Sequence, residues 1–170
     1  DKSDEAFNFL KQRENLLNKS NELRQTEVDL CIEQLDLKKA YELNEQILKE
    51  KPDDINALNN KGVIFEKNSI YQQRDKYLKL ALQYFDEVLN KDDKFALGWS
   101  NKTAVLVGYN NLDEASKIID LAYALFPKHP YVLNKKGIIT LIQNKFKEAL
   151  DYFEKSLKYN YDEKFLINKA

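Results

Sequence analysis

Residues 130–163 read PYVLNKKGIITLIQNKFKEALDYFEKSLKYNYDE, and the pattern in this stretch decides the fold. Leu133, Gly137, Thr140 and Leu141 follow helical spacing. Gln143-Asn144 predicts a turn. Phe146, Ala149, Leu150, Phe153 and Leu157 then predict one face of a second helix. Pro130 suits the first turn of the first helix, where its missing N–H costs nothing. Asn160 suits a left-handed cap near the end of the second. The stretch reads as two antiparallel helices joined by a short turn.

The rest of the chain repeats this unit. Ala6, Ala40, Ala81, Ala115 and Ala149 are separated by 34, 41, 34 and 34 residues. Asn18, Pro52, Asp93, Pro127 and Tyr161 keep the same four intervals. Leu58, Trp99, Leu133 and Ile167 follow at 41, 34 and 34, and Gly62, Thr103 and Gly137 at 41 and 34. Self-similarity at a fixed period is the signature of stacked repeats. The small residues have a packing reason: paired helices approach closely only where side chains are small. Gly62 and Gly137 on first helices, and Ala81, Ala115 and Ala149 on second helices, are expected at those crossings. Trp99, Phe85 and Phe153 are expected to fill the space beside them.

Composition agrees with helices and excludes several function classes. Gly is 4 and Pro 3 in 170 residues, too few for a turn-rich all-β domain. The net charge is −1, whereas a nucleic-acid surface shows a basic excess, so no nucleic-acid partner is predicted. No run approaches the roughly 18 apolar residues of a membrane span, so direct membrane insertion is not predicted. One cysteine, Cys31, and one histidine, His129, leave neither a disulfide framework nor a zinc ligand set. Cys31 is expected as a small buried hydrophobe, and His129 as a residue of the connection between units. There is no Gly-rich phosphate loop and no supported nucleophile–base pair, so neither a catalytic residue nor a cofactor or metal is predicted. Asp53-Asp54 and Asp92-Asp93 precede first helices and are expected to N-cap them.

The period, the two-helix unit and the order Trp/Leu–Gly–aromatic–Ala–aromatic–Ala–Pro resemble tetratricopeptide (TPR) repeats. The third unit matches at Trp99, Ala115, Ala122 and Pro127. The fourth matches at Leu133, Gly137, Phe146, Ala149 and Phe153, with Tyr161 in place of proline. The second carries Leu58, Gly62, Phe65, Ala81 and Phe85. The first departs at Arg24 and Asn44, where the family has large apolar residues. The resemblance implies an all-α solenoid of stacked antiparallel hairpins wound as a right-handed superhelix. Its units are 1–20 (second helix of a partial repeat, or an N-terminal cap), 21–54, 55–95, 96–129 and 130–163, with 164–170 starting a further helix. The chain thus begins and ends within a repeat, and Phe165, Leu166 and Ile167 are expected to pack on the fourth unit. The second unit is seven residues longer than its neighbours. Two added turns shared between its helices would absorb them and leave Ile70, Tyr71 and Arg74 projecting from a rim.

TPR resemblance further implies a concave surface, lined by first helices, that binds a peptide or protein segment. The lining would be Glu22, Gln25, Asp29 and Glu33, then Asn56, Asn59, Val63 and Glu66, then Leu97, Ser100, Ala104 and Val107, then Tyr131, Asn134, Ile138 and Leu141. The candidate site is Asn59, Val63, Ser100, Asn101, Ala104, Val107, Tyr131, Asn134, Ile138 and Leu141. Asn59, Asn134 and Asn168 share a slot with Ser100, while Asn60 and Asn101 lie beside it, followed in register by Lys135 and Lys169. Amides both donate to and accept from a peptide backbone, although a chain with 17 Asn also aligns several by chance. The carboxylate clamp of chaperone adaptors is not matched: Asn101 and Lys135 suit it, but Asn59, Val63 and Tyr131 replace required residues. Residues 1–54 carry a net charge of −5 and residues 130–170 a net of +3, which predicts a partner that is basic at one end and apolar or acidic at the other. The expected function is a non-catalytic protein-interaction scaffold. A regulatory or targeting module of a larger enzyme, or a self-assembly module forming a homo-oligomer, are the alternatives.

Overall fold

The computed structural model describes residues 20–71 and 73–167, with side chains up to Asn160. The expected cap in residues 1–20 therefore falls almost wholly outside the described residues, as does Asn168. Every regular element among them is an α-helix. Helix α1 covers residues 20–33. It is followed by α2 (Leu37–Glu50), α3 (Ile55–Asn68), α4 (Arg74–Lys91), α5 (Ala96–Gly108), α6 (Leu112–Leu125), α7 (Pro130–Ile142) and α8 (Phe146–Ile167). Consecutive helices pack in pairs, and three first helices also pack on the second helix before them: α3 on α2, α5 on α4, α7 on α6. First helices touch one another as well, α3 with α5 and α5 with α7. The result is an α-solenoid whose inner layer is built from first helices.

Three of the four turns inside hairpins are set by one backbone device. Leu35, Asn110 and Asn144 have φ of 60°, 60° and 63°. The amide after each reaches five residues back: Asp36 N to Cys31 O, Asn111 N to Leu106 O, Lys145 N to Thr140 O. This satisfies carbonyls that the helix end would leave unpaired. Asparagine tolerates the left-handed region; leucine does so poorly. Leu35 is also half exposed, so no packing compensates.

The helix starts divide differently from expectation. Asp54 does cap α3, its carboxylate accepting from Ala57 N at 3.0 Å. Asp92 and Asp93 do not cap α5, because Phe95 occupies the position equivalent to Asp54. The Asp92 carboxylate instead accepts from Lys94 N. Asn111 caps α6, accepting from Glu114 N while its amide donates to Glu114 Oε2 at 2.7 Å.

Two close helix crossings carry the core. A methyl group built on Gly62 would lie 2.6 Å from the Phe85 ring, and one on Gly137 would lie 2.6 Å from Phe153. In the unit between them the same two positions hold Thr103 and Ile119, both fully buried. The smaller partner on the second helix leaves room for a side chain on the first. Asn44, which replaces the expected large apolar residue, is wholly buried and donates to Ala57 O at 3.0 Å, tying α2 to α3. Arg24 reaches Glu50 at 2.7 Å.

Two expectations are corrected. The seven extra residues of the second unit do not form two turns of helix. α4 has 18 residues against 14 in α6, α3 has 14 against 13 in α5, and the rest lengthens the connection before α4. Ile70 and Tyr71 in that connection are exposed, whereas Arg74 reaches back to donate to Gly108 O. Second, Asn160 does not end α8, which continues to Ile167. Residues 164–167 extend this helix and do not open another. Tyr161 stands where Pro127 stops α6, and a tyrosine neither lacks an N–H nor clashes with the preceding turn.

Gly62→Ala is expected to destabilise the fold by about 1–3 kcal/mol through overpacking against Phe85. Gly108→Ala, whose new methyl would sit at an ordinary 3.6 Å from Leu78, is expected to be neutral or stabilising. Leu35→Asn is expected to gain about 1 kcal/mol. Thermal melts followed by circular dichroism check all three.

Candidate peptide-binding groove

The inner layer of α3, α5 and α7 places the expected site residues on one surface, but it uses them unequally. Asn59 is 6% exposed and Ser100 is 1% exposed. Asn101 donates its amide to Asn59 Oδ1 at 2.9 Å, joining α5 to α3. Ser100 Oγ donates to Tyr131 O at 3.3 Å, joining α5 to α7. Asn60 donates to Asp29 on α1 at 2.6 Å. Half of the apparent amide row therefore ties one first helix to the next. Asn134, Tyr131 and Leu141 remain exposed, and Val63, Asn101, Ala104, Val107 and Ile138 are half-buried.

Two adjoining depressions open between these helices. One, about 120 Å³, is lined by Val63, Glu66, Lys67, Asn101, Ala104 and Lys135 together with the edge of Phe85. The other, about 150 Å³, is lined by Thr103, Ala104, Val107, Lys135, Ile138 and Ile139. Ala104 and Lys135 belong to both, so the pair forms one short trough, polar toward α3 and apolar toward α7. Larger depressions lie elsewhere, one of about 530 Å³ between α6 and α7. There Ser116 and Gln143 replace the bulkier Leu82 and Tyr109 found in the equivalent positions between α4 and α5.

Lys135 dominates the electrostatics of the trough. Burial holds its ammonium below the usual lysine value; Glu66 pulls it back up and Lys67 pushes it further down. Among the described residues no carboxylate forms an ion pair with it. The sequence placed Lys135 only as a neighbour of the amide register, since nothing in a spacing pattern tells a desolvated lysine from a solvated one.

A second lysine register runs beside the first. Lys61, Lys102 and Lys136 lie one residue beyond the amide slot and pair with Glu45, Asp86 and Asp120 on the preceding second helices. The first two pairs span 2.6 Å. The lysine side chains are only 13–18% exposed. The intervals of 41 and 34 in both series were the available signal.

The remaining candidates take no part in the groove. Cys31 is buried beside Ala40 and Ile64. The His129 ring lies 5.9 Å from Tyr131 and 6.5 Å from Phe126. Among the described residues no group of three His, Cys, Asp or Glu side chains is placed to hold a metal ion, and no helix is long and apolar enough to cross a membrane.

No protein-family model matches the chain, and sequence comparison with curated proteins finds no match. Solved structures do resemble it. A thermophilic TPR protein of Thermus thermophilus superposes with a TM-score of 0.73 at 15% identity, over 82% of this chain and 73% of its own. Pseudomonas aeruginosa pilF gives 0.65 at 21% identity, over 85% and 63%. MamA of Desulfovibrio magneticus RS-1 gives 0.59 at 18% identity, over 84% and 76%.

Lys135→Met is expected to raise the melting temperature at neutral pH. A lysine whose folded pKa lies below its unfolded 10.5 burdens the fold while it is charged, and stability recovers as pH rises from the folded toward the unfolded value. The advantage of the variant should therefore shrink toward about pH 10.5. Melts from pH 7 to 11 measure it.

Proposed function

We propose that this tetratricopeptide-repeat solenoid is a non-catalytic scaffold that holds an extended segment of a partner protein along its inner face. The observation that carries the reading is the trough shared by α3, α5 and α7. Its apolar end is continued by half-buried Ile138 and by exposed Leu141, and its flank presents Tyr131 and Asn134. An apolar recess with a few convergent polar groups suits one or two side chains of a bound chain. The amides of Asn101 and Asn134 suit its backbone. Asn59 and Ser100, engaged between helices, shape the surface from beneath.

Electrostatics favour one orientation. Glu22 and Glu33 are exposed on α1, so a segment with basic residues toward α1 and apolar residues toward α7 meets complementary surface along its length. Such complementarity sets register and encounter rate more than final affinity.

Replacing Asn134 and Ile138 together by Glu tests the reading. Peptides selected from a random displayed library on the wild-type chain are expected to carry basic residues at one end and aliphatic residues at the other. The double variant should fail to retain them, with helicity and melting nearly unchanged. Peptides held equally by both proteins would remove the groove from the binding surface.

A further inference from the structure

The four second helices share one register, and the face each turns toward the following hairpin can be compared position by position. In α6 this face is Leu112, Ser116, Ile119 and Tyr123, all half-buried or fully buried beneath α7. In α8 the same positions are Phe146, Leu150, Phe153 and Leu157. Phe146, Leu150 and Leu157 are 63%, 59% and 58% exposed. Phe146, Leu150 and Phe153 are larger than their α6 counterparts, Leu157 stands where α6 has Tyr123, and no described helix lies on Phe146, Leu150 or Leu157.

The helices that cover such faces carry a common pattern. It runs Ala57–x3–Lys61–x2–Ile64 in α3, Gly98–x3–Lys102–x2–Val105 in α5 and Val132–x3–Lys136–x2–Ile139 in α7. The outer two residues of each are buried, and Gly98 brings the α5 backbone close to Val88 and Leu89. The lysine between them pairs with Glu45, Asp86 or Asp120 of the second helix beneath. The next acid in that series is Glu154 on α8. It is exposed and makes no ion pair among the described residues.

We propose that the outer face of α8 docks a helix of another protein carrying the same pattern, a small or aliphatic residue, then Lys four positions on, then a β-branched residue three further. Its lysine takes Glu154 as partner and its apolar residues cover Leu150 and Leu157. The contact continues the stacking interface already repeated three times within the chain. A second copy of the chain is the poorer occupant. The corresponding positions of α1 are Leu23, Glu27 and Leu30, so head-to-tail stacking would set Glu27 against Glu154, and Glu27 is already held by Lys39 at 2.8 Å. Like charges across an interface select against that pairing.

The test uses a fluorescent peptide with the α7 sequence 130–142, held helical by a hydrocarbon staple across positions 134 and 138, which face away from α6. Fluorescence anisotropy against the whole chain is expected to show saturable one-to-one binding. Leu150→Asp with Leu157→Asp in the protein should weaken it about tenfold or more, with circular dichroism confirming the helix content. Lys136→Glu in the peptide should weaken binding about threefold or more, and Glu154→Lys in the protein should restore it. The peptide-side charge change leaves the protein untouched and so decides independently of any folding defect. Absence of saturable binding, indifference to the leucine changes, or equal affinity of the Lys and Glu peptides would each overturn the proposal. So would a concentration-dependent dimer that the leucine changes dissolve, since the occupant would then be a second copy.

Discussion

Helices α3, α5 and α7 each lie on the second helix before them, and that contact makes the molecule. A single hairpin leaves one apolar face open to water, and only a neighbour closes it. Ile64, Val105 and Ile139 fill this interface in successive units, all at most 2% exposed. Beside them Lys61, Lys102 and Lys136 span to Glu45, Asp86 and Asp120. These pairs are shielded on the lysine side and open on the acid side. The acid thus stays hydrated while the ammonium gains a partner, which limits the desolvation cost of a fully buried pair. Lys61 illustrates the balance: burial works against its charge, yet hydrogen bonds to Glu45 and Tyr84 hold its pKa above the usual lysine value.

The inner surface follows from the same stacking. With α3, α5 and α7 side by side, polar residues on their shared edges face one another before they face any ligand. Asn59 with Asn101, and Ser100 with the Tyr131 carbonyl, become braces between helices. The space left open between these helices is the trough around Ala104 and Lys135, where a small residue on α5 leaves room and a lysine on α7 borders it. Lys135 and Lys136 are adjacent in sequence and have opposite situations. One points into the trough without a carboxylate partner; the other crosses to Asp120. One step of about 100° around the helix separates the two.

The fold was legible because its determinants recur. Gly62 and Gly137 mark the crossings with Phe85 and Phe153, and the intervals place them whatever the surroundings. The turn at Asn144 was readable from residue chemistry, and the same turn at Leu35 was not, because leucine is not a residue that left-handed geometry selects. Thr103 holds the position that is glycine in the neighbouring units. Its complement is Ile119, a residue 16 positions away on the facing helix, and only the packed pair explains either one. Asn160 does not reveal the end of α8, because a residue able to cap a helix does not stop one unless the chain beyond it turns away.

The sequence alone determined the helical period, the pairing of helices, the sites of close approach and the absence of any β-pattern, since these depend on residues a fixed number of positions apart. The tertiary structure alone decided which polar side chains are engaged. Whether Asn59 meets a ligand or Asn101, and whether a lysine is paired or desolvated, depends on the distance between helices that the chain visits 34 or 41 residues apart. Spacing fixes which face a residue occupies; the neighbour that arrives on that face fixes what it can bind.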